Sequence, residues 1–415
     1  MEQGGAQRGP PDVDRLHQQQ GDRGARMSEN IKLIEIYDKN LNFLIGSGAS
    51  VGLFPTLALK VKDEDGNKFT LESLATWLED KKDQDRYNLL FMHYYRTCIK
   101  LVQDYAPSDK DDDEKKAVIE NYEKFLRTLL QILKRRKPLD KRANVFTTNY
   151  DGCFAYAADN ILKAGADDFV FNDGARGFRS RHLQAQNFNT YLCKTGVFER
   201  TQSSVPQVNL IHLHGSIYWQ KRDGGILVDY KPLPALSLIQ PLTLEPSIDA
   251  FSKDLLDEAK TIDDIKVVPL GPGIGDKFWE SYKKLPIVNP TKWKFHETVF
   301  EEHYYQMLRL LSYELEKPNA VLITFGFSFA DEHILNLLKR SLANPTLQVY
   351  VCCYSEAQRA SLSETFNSYD NVVCVSLDGE SMDFTAFNER VFTTAVSDAV
   401  KAAPEPVEPA PGAVA

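Results

Sequence analysis

Asn149 and Asp151, in Val145-Phe146-Thr147-Thr148-Asn149-Tyr150-Asp151, and His214, in Leu210-Ile211-His212-Leu213-His214-Gly215-Ser216, are the residues best suited to chemistry. An amide and a carboxylate two positions apart can hold a ribose and a water beside a forming oxocarbenium ion. At a strand end Asn149 and Asp151 would face one side and Tyr150 the other. A plain turn fits the block equally well, because Asn and Asp are favoured where strands end. If residues 208–214 form one strand, Val208, Leu210, His212 and His214 share a face. His214, before Gly215 at the strand end, is the better general base, a role histidine fills near neutral pH. Taken singly, it reads as a hydrogen-bonded structural residue. The His-x-His pair has no third ligand nearby in sequence, so no metal is expected.

Two glycine-bearing stretches flank these blocks. Upstream, Gly46, Ser47, Gly48, Ala49 and Ser50 follow the apolar run Phe43-Leu44-Ile45. Glycines there let the backbone approach a pyrophosphate, and a following helix would aim its amides at the charge. The match to G-x-G-x-x-G fails by one residue, since Val51 stands where the third glycine belongs and Gly52 comes late. A tight strand-to-helix turn without a ligand accounts for the stretch as well. No G-K-[ST] follows, which argues against a P-loop. Downstream, Leu322-Ile323-Thr324-Phe325 leads into Gly326, Phe327 and Ser328. Four apolar runs that each end in small or polar residues are how a parallel sheet presents a ligand site at its carboxyl edge. Asp331-Glu332-His333 then precedes a helical stretch at Ile334–Leu342, where acidic residues complement the helix dipole and cap it. His333 is left as a candidate ligand contact.

Positioning these blocks requires strands alternating with helices, an α/β chain with a Rossmann-like parallel sheet. Strands are expected at Leu41–Ile45, from Val145, through Val208–His214, and at Val321–Phe325, Val349–Tyr354 and Val372–Leu377. Helical insertions at about 61–139 and 220–317 separate the blocks. In the first, Val118, Tyr122, Phe125, Leu126, Leu129 and Leu133 recur at helical spacing. In the second, Phe300, Tyr304, Met307 and Leu311 do the same. Both stripes read as core.

At 415 residues, with 43% hydrophobic and 26% charged side chains, the chain has the composition of a globular protein. Residues 27–401 are read as one domain. Residues 1–26, rich in Gln, Gly, Arg and Asp, read as a disordered leader, and 402–415 as a disordered Pro-rich tail. A net charge of −9 argues against direct nucleic-acid contact. No apolar run approaches the roughly 18 residues a membrane span needs, and no signal peptide is visible. Six cysteines without a C-x-x-C pair indicate a cytoplasmic protein without disulfides or structural zinc.

In order, Gly-Ser-Gly-Ala-Ser, Thr-Thr-Asn-Tyr-Asp, Leu-His-Gly-Ser and Gly-Phe-Ser-Phe-Ala-Asp-Glu-His-Ile resemble the sirtuin-like NADases of bacterial anti-phage defence. The pattern is most similar to the sirtuin-like subunit that pairs with a HerA-type ATPase, and it spans residues 43 to 334. The resemblance implies a sirtuin-like fold without the zinc ribbon, and NAD as the substrate. It implies Asn149 and His214 as the catalytic pair, with Asp151 matching the sirtuin Asn-x-Asp pattern. Gly46, Gly48 and Ser50 match the phosphate loop, and Gly326 and Ser328 the Gly-Thr-Ser that contacts the adenosine side. The four zinc cysteines and the Pro-Asp-Phe-Arg of deacylating sirtuins are missing, which weighs against peptide deacylation. The function implied is NAD glycohydrolysis to nicotinamide and ADP-ribose in antiviral defence. A homo-oligomer and a HerA-like ATPase partner are implied with it. The alternative is a non-catalytic NAD or ADP-ribose sensor or scaffold subunit.

Overall fold

In the computed structural model, residues 31–394 are described apart from 109, 166, 196–201, 223, 231–238, 240–245, 266, 268 and 290–297. The expected leader at 1–26 and tail at 402–415 lie outside the described residues. Seven apolar runs form the central sheet: β1 (Asn40–Ile45), β2 (Arg142–Thr147), β3 (Val170–Asn172), β4 (Gln207–His212), β5 (Ala320–Phe325), β6 (Gln348–Cys352) and β7 (Val372–Val375). They lie in the order β7-β6-β5-β1-β2-β4-β3 and every pairing is parallel. The expected α/β, Rossmann-like architecture is therefore present.

The inner strands bury side chains on both faces, because both faces are covered. Phe43, Ile45, Val145, Leu210 and Ile323 join one buried cluster, while Leu44, Phe146, Ile211 and Leu322 join another. That is the period-two alternation of a strand read out as two half-cores. On the first face packs α3 (Asp113–Lys134), which follows α1 (Leu71–Lys81) and α2 (Gln84–Tyr94) in the first insertion. Its Asp112 caps the first turn by accepting from the Lys115 amide, and Val118, Tyr122, Phe125, Leu126, Leu129 and Leu133 are all buried, as their spacing predicts. Next comes α4 (Cys153–Ala164), and the second insertion supplies α5 (Pro246–Leu255) and α6 (Ile274–Tyr282). On the other face lie α7 (Thr298–Glu316), α8 (Glu332–Ser341) and α9 (Glu356–Thr365). Tyr304, Met307 and Leu311 of α7 are buried as expected; the side chain of Phe300 lies outside the described residues. No helix among the described residues is long and apolar enough to cross a membrane.

A ladder of amides fixes the register. Asn42 opposes Asn144, Asn144 opposes Asn209, and Asn209 opposes Asn172 across β1, β2, β4 and β3. Asn144 Nδ2 donates to Asn42 Oδ1 at 2.8 Å, Asn209 Nδ2 to Asn144 Oδ1 at 2.8 Å, and Asn172 Nδ2 to Asn209 Oδ1 at 2.9 Å. A slip of one residue would replace the buried amides of Asn42, Asn144 and Asn209 with apolar neighbours and break the ladder. With the register locked, the carboxyl ends of β5, β1, β2 and β4 fall in one row: Phe325, Ile45, Thr147 and His212.

Chain direction sets where a ligand can enter. From β1 the chain moves to β2 on one side of the sheet; from β4 it crosses back to β5 and continues outward to β6 and β7. The reversal lies between β1 and β5, and in open α/β sheets the crevice at such a point is where ligands bind.

Candidate functional site

The loops after β1 and β5 meet at that crevice. Gly46 N donates to Phe325 O at 2.9 Å and Gly48 N to Gly326 O at 3.0 Å. A Cβ on Gly46 would stand 2.4 Å from Gly326 O, and one on Gly48 2.6 Å from Gly326 Cα. Gly326 itself has φ +63° and would place a Cβ 2.7 Å from Ala49 N. These glycines are therefore demanded by the contact of two loops, backbone on backbone. The helix expected after Gly48 is a single 3₁₀ turn, Ser47–Ser50. The amides of Gly46, Gly48 and Ala49 already donate within the protein, which leaves Ser47 as the exposed member of the loop.

β2 ends at Thr147, so Asn149 and Asp151 stand in the loop beyond it rather than on the strand. Thr147 Oγ1 donates to Ile45 O and accepts from Asn149 N, both at 3.0 Å, so the loop is tied to the end of β1. Asn149 Nδ2 donates to Gly46 O at 3.1 Å and to Ser50 Oγ at 3.3 Å. Ser50 Oγ donates to Asp151 Oδ2 at 2.7 Å and stands 2.7 Å from Tyr122 Oη. A serine hydroxyl has one proton, so with that proton on Asp151 the Tyr122 hydroxyl is the donor to Ser50. Burial, then the Asp151 charge, push the Tyr122 phenol far above its ordinary range, which keeps it a donor. Asp151 Oδ1 accepts from Cys153 N at 3.1 Å at the start of α4. Ser50, 2% exposed, is thus the knot joining the glycine loop, α3 and the Asn149 block. As expected, Tyr150 points elsewhere: its hydroxyl donates to Val288 O at 2.9 Å.

β4 ends at His212, and the two histidines part company there. His212 Nδ1 lies 3.0 Å from Asn149 O. Burial holds His212 below the ordinary histidine range despite that bond, so it is a neutral donor fixing the Asn149 backbone. His214 lies past the strand end with Nε2 2.9 Å from Asp331 Oδ2. That contact is close but off the axis of a hydrogen bond, so His214 Nε2 is buried without a hydrogen-bonded partner among the described residues. Asp331 is the N-cap of α8, its Oδ1 accepting from His333 N at 2.9 Å and Ile334 N at 3.1 Å. The capping expected at this position is present, and the contact with His214 is added to it. The turn that delivers Asp331 contains Phe329 at φ +61°, a conformation that costs about 1–3 kcal/mol for such a residue. Phe329 is held there by burial against Phe327 and Phe366, with ring centroids 4.9 and 5.4 Å away.

Asn149, Asp151, His214 and Asp331 line one cavity of about 130 Å³, bounded also by Phe54 and Leu57 from the segment after the glycine loop and by Cys98 from the first insertion. The second insertion closes the opposite side. Gly215 bridges to Ile287, and Val288 N donates to His214 O at 2.9 Å. Gly215 has φ +79°, and a Cβ there would stand 2.1 Å from Pro286 O, so this closure requires glycine. Across a lip formed by Ser47, Gly326, Phe327 and Ser328 opens a larger groove of about 690 Å³. Gly48, Ala49, Cys352, Tyr354, Gln358 and Met382 lie along it.

The structure therefore brings Asn149, Asp151, His214, Ser47, Ser50, Gly326 and Ser328 to one cavity, with Gly48 and Ala49 in the adjoining groove. Gly46 lies beneath them as a packing residue, and His333 does not line either space. Sequence reasoning missed the roles of Tyr122, legible only as core, of the segment Pro286–Asn289, and of the face of Asp331 that meets His214. Proximity of Asp331 to Gly326 and Ser328 in sequence was the available hint for the last. Neither a protein-family model nor a curated protein matches this chain.

Proposed function

We propose that this chain is an NAD glycohydrolase. The observation carrying the reading is the two-part cleft at the switch point. A small inner cavity lined by Asn149, Asp151 and His214 adjoins, over Ser47 and Ser328, a groove of about 690 Å³ that offers the volume for the rest of a dinucleotide. The nicotinamide riboside end would enter the inner cavity, the pyrophosphate would cross the lip, and adenosine would lie toward Tyr354.

Cleavage breaks the bond between C1′ and the pyridinium nitrogen. The nitrogen keeps the electron pair and leaves as neutral nicotinamide, so no strong general acid is required. Water adds to C1′ of the oxocarbenium-like species, and its proton passes to His214 and then to solvent, giving ADP-ribose. Asn149, whose amide and backbone are both held, orients the ribose and the water. Asp151, engaged at both oxygens, keeps Ser50 and Asn149 in place. By the same resemblance, the proposal includes a cytoplasmic, oligomeric protein acting in antiviral defence and controlled by a HerA-like ATPase.

Incubation with NAD, with and without the ATPase, followed by chromatography of nicotinamide and ADP-ribose, tests the reading. Product that disappears in both Asn149→Ala and His214→Ala supports it. Bound NAD with no product under either condition replaces it with the sensor or scaffold reading.

A further inference from the structure

We infer that Asp331 is a positioning residue that fixes the ring of His214 with the proton on Nε2, leaving Nδ1 as the basic nitrogen; the inference rests on the hydrolase reading for its catalytic consequence. Three observations carry it. The carboxylate stands 2.9 Å from Nε2, with its side chain 4% exposed and that of His214 10% exposed. Asp331 Oδ1 is occupied by two amides at the start of α8, so the carboxylate cannot swing, and Oδ2 is the oxygen presented to the imidazole. The left-handed turn at Phe329, clamped between two rings, sets where that carboxylate stands.

A carboxylate oxygen facing an unprotonated ring nitrogen sets two lone pairs against each other in a site with little water. Facing N–H it gains a charge-assisted contact instead. The neutral ring therefore carries its proton on Nε2, and Nδ1, which takes no hydrogen bond from the described residues, is available to accept one. The off-axis approach of Nε2 to Oδ2 is of the kind that tightens when substrate completes a site. On protonation at Nδ1 the imidazolium formed during turnover is met by the same carboxylate. The arrangement does for this histidine what an orienting acid does in a hydrolytic triad, with the two ring nitrogens exchanged.

Asp331→Asn separates this role from capping, because asparagine caps a helix as well as aspartate does. The ring is read by nitrogen chemical shifts in protein labelled at histidine, with the His214 signals identified by their loss in His214→Ala. In the natural chain those shifts are expected to have the pattern of an Nε2–H ring, and in Asp331→Asn to move toward the mixed pattern of a free imidazole. Turnover is expected to fall about 10- to 100-fold in kcat, part of the roughly 10²–10⁴-fold a positioned base supplies, with KM little changed. An unchanged ring pattern in Asp331→Asn overturns the pairing whatever turnover does. A shifted pattern with unchanged kcat removes the catalytic role. If the natural chain does not turn over NAD, the hydrolase reading fails, and the ring pattern still decides whether Asp331 sets the tautomer.

Discussion

Ser50→Ala tests the knot on which the site depends. Ser50 Oγ donates to Asp151 at 2.7 Å and accepts from Tyr122 at 2.7 Å and from Asn149 at 3.3 Å. Asn149 keeps a second acceptor in Gly46 O, so its loss is the smallest. The bond to a carboxylate is worth about 1.5–3 kcal/mol, and a fully buried phenol left without an acceptor costs about 1–3 kcal/mol. Together the expected destabilisation is about 3–5 kcal/mol, read as a lower denaturant midpoint with unchanged m-value. The second contribution can be isolated. Adding Tyr122→Phe to Ser50→Ala removes the orphaned hydroxyl, so the double variant should recover about 1–2 kcal/mol relative to Ser50→Ala, although it has lost one more polar group. NAD turnover should fall in both variants, because Asp151 and Asn149 lose a common tether. Ser50→Ala within about 0.5 kcal/mol of the natural chain, or a double variant no more stable than the single one, would refute the proton assignment.

Asn144→Leu breaks the amide ladder on both sides and should cost about 2–4 kcal/mol by denaturant unfolding; a loss below about 1 kcal/mol would show that the amides do not pin the register. Gly48→Ala drives a methyl to 2.6 Å from Gly326 Cα, so it should lower stability by about 2–4 kcal/mol or abolish folding, whereas Gly225→Ala, with its nearest neighbour at 3.9 Å, should be nearly neutral. Equal effects of the two in thermal melts would show the loop junction to be pliable. His93, buried against Ser252 and facing the Arg96 charge, is pushed down to about 4 from 6.5, by burial first. The unfolded chain therefore binds a proton that the folded chain refuses, and stability contributed above pH 6.5 is lost as pH falls toward 4, by about 3 kcal/mol. Urea unfolding from pH 7 to 4.5 should show this slope, and His93→Gln should flatten it.

The parts of the fold legible in the sequence are those fixed by local pattern. β1, β2, β5 and β6 each carry a buried, mainly apolar run because a parallel sheet buries both faces, and α3 advertises its stripe from Val118 to Leu133. The gathering of Asn149, Asp151 and His214 followed from strand ends, although β2 and β4 stop at Thr147 and His212 and the three candidate residues stand just beyond. β3, three half-buried residues at the sheet edge, has too little pattern to announce itself. What stayed hidden depends on contacts across long stretches of chain. The Tyr122 hydroxyl meets Ser50 over 72 positions, and nothing in a helical stripe distinguishes a phenol with a partner from a phenylalanine. The glycines of the first loop were legible as glycines, but the reason for them, the backbone of Gly326, comes from the neighbouring strand β5, which is adjacent in the sheet and distant along the chain.

That last point changes how the cleft works. A glycine loop whose amides are spent on a neighbouring loop gains rigidity at the expense of anion contacts, so its contribution is to hold an edge in place. Phe54 and Leu57 after the glycine loop, with Cys98 of the first insertion, close the cavity from one side, and Val288 and Asn289 of the second insertion close it from the other. Val288 N donates to the His214 backbone carbonyl and Val288 O accepts from the Tyr150 hydroxyl, so the second insertion is tied to both blocks. Residues 286–289 therefore both cover the cavity and hold the backbone of His214, the residue whose ring faces Asp331.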